Sequence, residues 1–194
     1  RPAVIACNTA TATCIDALRG AFPFPIVSIE PAIKPACALP GTGKVFMMAT
    51  LATTRLNRYL ALQARMPDPS RVINIPCPGI VERVEAGIFD DDAYDDLFDK
   101  YFAPYVGTEV DAIVLGCTHY PFIKGAFARN AKRYLRGNCA LIDGSVGTVR
   151  QLERILDMYK LKNPCGTGKV EFHTSGNEAV LKPIFEKLLK QDKI

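Results

Sequence analysis

The chain is 194 residues long, enough for one or two domains of ordinary size. Apolar residues make up 48% and charged residues 23%, which excludes a disordered tail, a collagen-like fibre and a charge-rich coiled coil. The net charge of +4 is spread along the chain, which gives no basic stripe for nucleic acid, and the longer apolar stretches, such as Ala112–Gly116, are strand-sized and too short to span a membrane.

Short apolar runs bounded by Gly, Pro or polar residues predict seven strands: Ala3–Ala6, Ile26–Ile29, Val45–Ala49, Val72–Ile75, Ala112–Leu115, Ala140–Asp143 and Lys169–His173. Most read as buried on both faces, as parallel strands are. Helical patterns lie between them. Thr11–Arg19 stops at Gly20. Thr53–Arg65 carries Leu56, Tyr59, Leu60 and Leu62 and stops at Pro67-Asp68-Pro69. Asp91–Tyr105 places Tyr94, Leu97, Phe98 and Tyr101 on one stripe. Pro121–Arg136, Gly147–Lys160 and Asn177–Lys190 complete the set, the last expected to start or kink at Pro183. Strands alternating with helices predict an α/β fold with mostly parallel sheets.

The seven cysteines contain no C-x-x-C pair and follow no signal peptide, so free thiols in a reducing, cytoplasmic setting are expected. With only His119 and His173 as histidines, a His-rich metal centre is not expected. Six aspartates crowd Asp90–Asp99 and read as a solvated helix start, because they lack the Gly and terminal Glu of a calcium loop. Gly41-Thr42-Gly43-Lys44 lacks the upstream Gly and the following Ser or Thr of a phosphate loop, and it precedes a strand; it reads as a turn.

One internal echo carries chemistry. Ala3-Val4-Ile5-Ala6-Cys7-Asn8-Thr9 parallels Ile113-Val114-Leu115-Gly116-Cys117-Thr118-His119. Each is an apolar strand, a small residue, a cysteine, two polar residues and then a helix. A cysteine at the carboxyl end of a buried parallel strand faces the crevice where α/β sheets bind ligands. The helix that follows offers backbone N–H groups that favour thiolate and bind carboxylate. Ala6 and Gly116 are expected to leave room for a ligand against the backbone. Cys14, Cys37, Cys77, Cys139 and Cys165 read as structural. Two thiols at one site admit three chemistries. A disulfide redox pair has no resolving-cysteine pattern to support it. A metal site would need four ligands, where Cys7, Cys117 and His119 are evident. Two-base proton transfer at one carbon needs a thiolate on one face, a thiol on the other, and donors such as Asn8, Thr9, Thr118 and His119 for the carbanion-like state.

Ala6-Cys7-Asn8-Thr9-Ala10-Thr11 and Gly116-Cys117-Thr118-His119-Tyr120-Pro121 resemble the two signature motifs of glutamate racemases, within the cofactor-independent aspartate/glutamate racemase superfamily. Ile26–Pro31, Ala49–Thr53 (with Ala49 where the family usually has Gly) and Cys77-Pro78 with Val84-Glu85-x-Gly87 are similar to further family blocks. The resemblance implies racemisation of L- and D-glutamate with no cofactor and no metal, supplying D-glutamate for peptidoglycan. Cys7 and Cys117 would be the acid/base pair, Cys7 acting on the D-enantiomer and Cys117 on the L-enantiomer. Asn8, Thr9, Thr53, Thr118 and His119, and with weaker support Thr50, would hold the substrate; Glu85 aligns with a family acid near the site. Cys-Thr-His, rather than Cys-Thr-Glu, points to glutamate over aspartate. A small-molecule substrate and a homodimer are the partners implied, with no nucleic acid or membrane.

The family pattern also has an Asp-Ser-Gly strand and a Tyr-Gly segment ahead of the first cysteine, which are missing here. The abrupt start at Arg1-Pro2 gives the expectation that an N-terminal portion is absent, and that a chain of these residues alone would be poorly active. The expected architecture is two similar α/β lobes with the site in the cleft between them. Residues 1–30 plus 140–194 would form the first lobe and 31–139 the second. A related amino-acid or hydantoin racemase, and an inactive amino-acid-binding module, are the competing readings.

Overall fold

The computed structural model describes residues 2–190. The chain opens with β1 (Ala3–Ile5), α1 (Asn8–Ala21) and β2 (Ile26–Ser28). It continues through α2 (Ile33–Cys37), β3 (Lys44–Ala49), α3 (Leu51–Arg55), α4 (Asn57–Ala64), β4 (Val72–Pro76) and α5 (Ile80–Glu85). Then come α6 (Asp95–Phe102), β5 (Val110–Leu115), α7 (Lys124–Tyr134), β6 (Ala140–Ile142), α8 (Ser145–Met158) and α9 (Glu178–Leu189), with short 3₁₀ turns between some of them. Every strand pair among the described residues is parallel. β1 and β2 form one small sheet; the larger has the order β4-β3-β5-β6.

The larger sheet is covered on both faces, and its strands read accordingly. Val45–Ala49 of β3 are all fully buried. Phe46 and Met48 face a cluster with Phe98, Phe102, Tyr120 and Phe127 from α6, α7 and the turn between β5 and α7. Met47 and Ala49 face the other side, against Ile33, Ala36 and Tyr59 from α2 and α4. This alternation is the period-two geometry of a strand clamped between helical layers. The aromatic side packs edge-on, with Phe98 and Phe127 centroids 4.8 Å apart at 79°. β1 differs from the expectation of burial on both faces: Val4 is exposed.

Several further expectations are corrected. The Thr53–Arg65 helix is two helices, because Leu56 is extended (φ −73°, ψ 131°) and its N–H bonds back to Thr53 O. Lys169–His173 forms no strand: no strand among the described residues pairs with it, and Phe172 instead stacks on Phe185 of α9 at 4.6 Å. α9 starts at Glu178, capped by Asn177, and runs through Pro183. Ala140–Ile142 is hydrogen-bonded as β6 to β5 in the larger sheet, and α8, which follows it, packs on β2. The aspartate cluster is more than a solvated helix start. Asp96 pairs with Arg83 at 2.7 Å, Asp92 and Asp95 with Arg129, and Asp99 with Arg133. Gly41–Gly43 is a turn, as expected, with Gly41 at φ +130°. Its two glycines lie against the Asp111 carboxylate, which a Cβ on either would meet within 2.7 Å, and Asp111 pairs with Arg71 at 2.6 Å.

Candidate active site

The two cysteine turns lie at the carboxyl ends of β1 and β5. Cys7 is the N-cap of α1, with extended backbone (φ −123°, ψ 122°); its carbonyl accepts from Thr11 N and its Sγ from Ala10 N at 3.5 Å. The cysteine thus occupies the position usually held by Ser, Thr or Asp, with the thiol exposed over the free amides of a 14-residue helix.

Cys117 is more deeply placed. Its thiol is pushed up from 9.0 to about 11, mainly by burial. Backbone N–H groups of His119 and Thr118 oppose that rise, while the charges of Cys7 and Glu85 add to it. Cys117 Sγ lies 3.5 Å from His119 Nδ1, and His119 Nε2 lies 3.2 Å from Glu85 Oε1. An ionised carboxylate only accepts, so in the neutral imidazole Nε2 carries the proton and Nδ1 is left to accept from the thiol. Glu85 thereby orients His119 as a proton acceptor for a cysteine whose burial otherwise holds it protonated.

Direct bonds join the two turns. Asn8 Nδ2 donates to Gly116 O at 2.9 Å, tying the start of α1 to the end of β5. Thr9 Oγ1 lies 2.9 Å from Thr53 Oγ1 and 3.5 Å from Thr50 Oγ1, and Thr50 and Thr53 lie 3.0 Å apart. These three hydroxyls gather at the N-terminus of α3, where Thr50 is the cap. Thr118 lines a cavity of about 70 Å³ with Asn8, Cys117 and the Asp143-Gly144-Ser145 turn. The geometry thus brings Cys7, Asn8, Thr9, Thr50, Thr53, Cys117, Thr118, His119 and Glu85 into one region.

Two features differ from the sequence reading. Gly116 leaves no room for a ligand on its side-chain face: a Cβ there would sit 2.4 Å from Met47 Cε and 2.9 Å from both Ala49 Cβ and Met48 O. Its smallness lets β5 pass β3. The expected strand ends at Asp143 and no role is expected of Gly144 or Ser145, yet the Asp143–Ser145 turn walls the cavity beside Cys117. Asp143 Oδ1 accepts from Ser145 N at 2.8 Å, an Asx turn legible in the Asp-Gly-Ser sequence after an apolar run. A separate cleft of about 1040 Å³ is lined by β2, β6 and α8 and includes neither cysteine.

Comparison with known proteins decides the family. A family profile described as Asp/Glu/Hydantoin racemase matches residues 2–152. The chain belongs to the Asp/Glu/hydantoin racemase family. It is 41% identical over 161 residues to a glutamate racemase of Clostridium acetobutylicum, an alignment covering 82% of this chain and 61% of that protein. It is 42% identical over 177 residues to a glutamate racemase of Herpetosiphon aurantiacus, covering 91% and 68%. The chain therefore spans between three-fifths and about two-thirds of the length of these curated relatives. Among solved structures it resembles the glutamate racemase of Francisella tularensis in complex with D-glutamate, with TM-score 0.78, 25% identity and coverage of 97% of this chain and 69% of that one. The Thermus thermophilus glutamate racemase aligns with TM-score 0.73 at 29% identity, over 95% and 68%. The α/β fold with parallel sheets flanked by helices is that of these family members. No helix among the described residues is long and apolar enough to cross a membrane.

Proposed function

We propose that this chain carries the catalytic apparatus of a glutamate racemase, with Cys7 and Cys117 as the two acid/base residues. The observation that carries the reading is the bond from Asn8 Nδ2 to Gly116 O, which brings the two cysteine turns to one site. A glutamate α-carbon between them would lose its proton to one sulfur as thiolate and gain a proton from the other as thiol. One C–H bond breaks, one forms on the opposite face, and the thiol and thiolate exchange places. Cys117 needs help to act as base because burial holds its proton, and His119 Nδ1, oriented by Glu85, is the group to take it. In the family's pattern Cys117 serves the L-enantiomer and Cys7 the D-enantiomer. The carbanion-like state develops charge toward the substrate carboxylate. The hydroxyls of Thr9, Thr50 and Thr53 and the amides at the start of α1 are donors of the kind that state needs. Asn8, Thr118 and His119 complete the substrate contacts in this reading.

The reaction would supply D-glutamate for peptidoglycan in the cytoplasm, from a homodimer. The test is a substrate panel followed by chiral chromatography. L-Glutamate should yield D-glutamate and approach equal amounts of the two. Turnover of aspartate or a hydantoin in place of glutamate would assign the site to another member of the family. Binding of glutamate without turnover would make the chain a binding module.

A further inference from the structure

We propose that a single buried water, held by Arg58, Thr11 and Asn8, fixes the Asn8 carboxamide beside the two cysteines. Asn8 and Thr11 are 5% and 2% exposed, and both have a buried side-chain oxygen without a partner: Asn8 Oδ1 and Thr11 Oγ1. Arg58 Nε is buried and unpartnered as well. All three residues line one cavity of about 10 Å³, bounded also by Glu30, Thr53 and Tyr59. That is close to the minimum of roughly 10–15 Å³ for one water, and too small for a larger ligand.

The donor and acceptor balance selects water. Arg58 Nη1 and Nη2 are committed to Asp16 at 3.1 Å and Glu30 at 3.2 Å, which leaves Nε–H as a donor without an acceptor. Asn8 Oδ1 only accepts, and the Thr11 hydroxyl does either. One water accepts from Arg58 Nε and donates to Asn8 Oδ1 and Thr11 Oγ1, three bonds in all, the usual number for a buried water. A cation is disfavoured by the guanidinium, and an anion by the Asn8 carbonyl oxygen. The water makes Arg58 a positioning residue. Asn8 Nδ2 must face Gly116 O to join the cysteine turns, and a water on Oδ1 opposes rotation of the amide.

The first test is a high-resolution crystal structure of the whole chain. One ordered water is expected within about 2.7–3.2 Å of Arg58 Nε, Asn8 Oδ1 and Thr11 Oγ1. No density there, or direct contact among the three groups, would overturn the proposal. This arm does not depend on the assigned reaction, so an inactive protein with the water retained would sink the racemase reading alone. The second arm uses Thr11→Val and Thr11→Ser. The valine variant should lose the water and raise KM for glutamate about tenfold, the effect of one lost hydrogen bond. Serine should restore both, and the pH profile of kcat should be unchanged. Water retained in Thr11→Val, or serine behaving as valine, would refute the assignment; if the valine variant fails to fold, the wild-type and Thr11→Ser structures decide.

Discussion

At the residue scale, Cys117 is the group whose surroundings matter most. Its folded thiol is raised from 9.0 to about 11, so retention of its proton stabilises the fold fully below pH 9 and progressively less as pH rises through about 11. Unfolding free energy measured against pH should fall across that window by about 3 kcal/mol more in wild type than in Cys117→Ser. Equal slopes would show that the thiol is not desolvated. Glu85→Gln tests the other end of the relay. A glutamine can present its N–H₂ to His119 Nε2 and favour the opposite tautomer, taking the acceptor away from Cys117. We expect kcat with L-glutamate as substrate to drop at least about tenfold, toward the size of a lost acid/base contribution, with a smaller effect on D-glutamate. A variant at wild-type kcat would remove Glu85 from the account. The candidate residues Cys7, Asn8, Cys117, Thr118 and His119 were readable because each lies within a few positions of a strand end. The half-buried setting of Cys117, which separates it from exposed Cys7, was not, since it depends on the apolar cluster that includes Cys77 and Tyr120.

At the scale of elements, Gly116 is a packing residue first. Gly116→Ala places a Cβ against Ala49 Cβ and the Met48 carbonyl, neither of which can swing away as Met47 Cε can. The expected cost is about 1–3 kcal/mol in denaturant unfolding, together with displacement of Cys117. A change below about 0.5 kcal/mol would mean that β5 has room to shift. Thr50→Ala removes both the cap of α3 and one member of the hydroxyl cluster, and should cost about 1 kcal/mol. The strands of the larger sheet were legible because burial on both faces leaves continuous apolar runs. The break at Leu56 was not, because Leu56 continues the helical apolar pattern while α3 is set off by a threonine cap that periodicity does not register. The Lys169–His173 run shows the converse: strand-like alternation means little without a partner edge.

At the scale of the molecule, the account rests on two elements being held together. The α1 helix carries Cys7, Asn8 and Thr9, and it meets the larger sheet's side of the site through Gly116 O, Thr53 and the pair from Asp16 to Arg58. None of these contacts was visible in the sequence as a pair, because each spans more than forty positions; the echo of the two cysteine motifs was the only local sign that the turns belong together. The central claim is that two sulfurs act on one carbon from opposite faces. The most direct measurement is deuterium incorporation at the α-carbon of L- and D-glutamate in D₂O, for wild type, Cys7→Ser and Cys117→Ser. Wild type should exchange both enantiomers, with the inverted product carrying solvent deuterium, and each serine variant should lose that activity. Exchange of both enantiomers at wild-type rate by either variant would contradict the two-cysteine site.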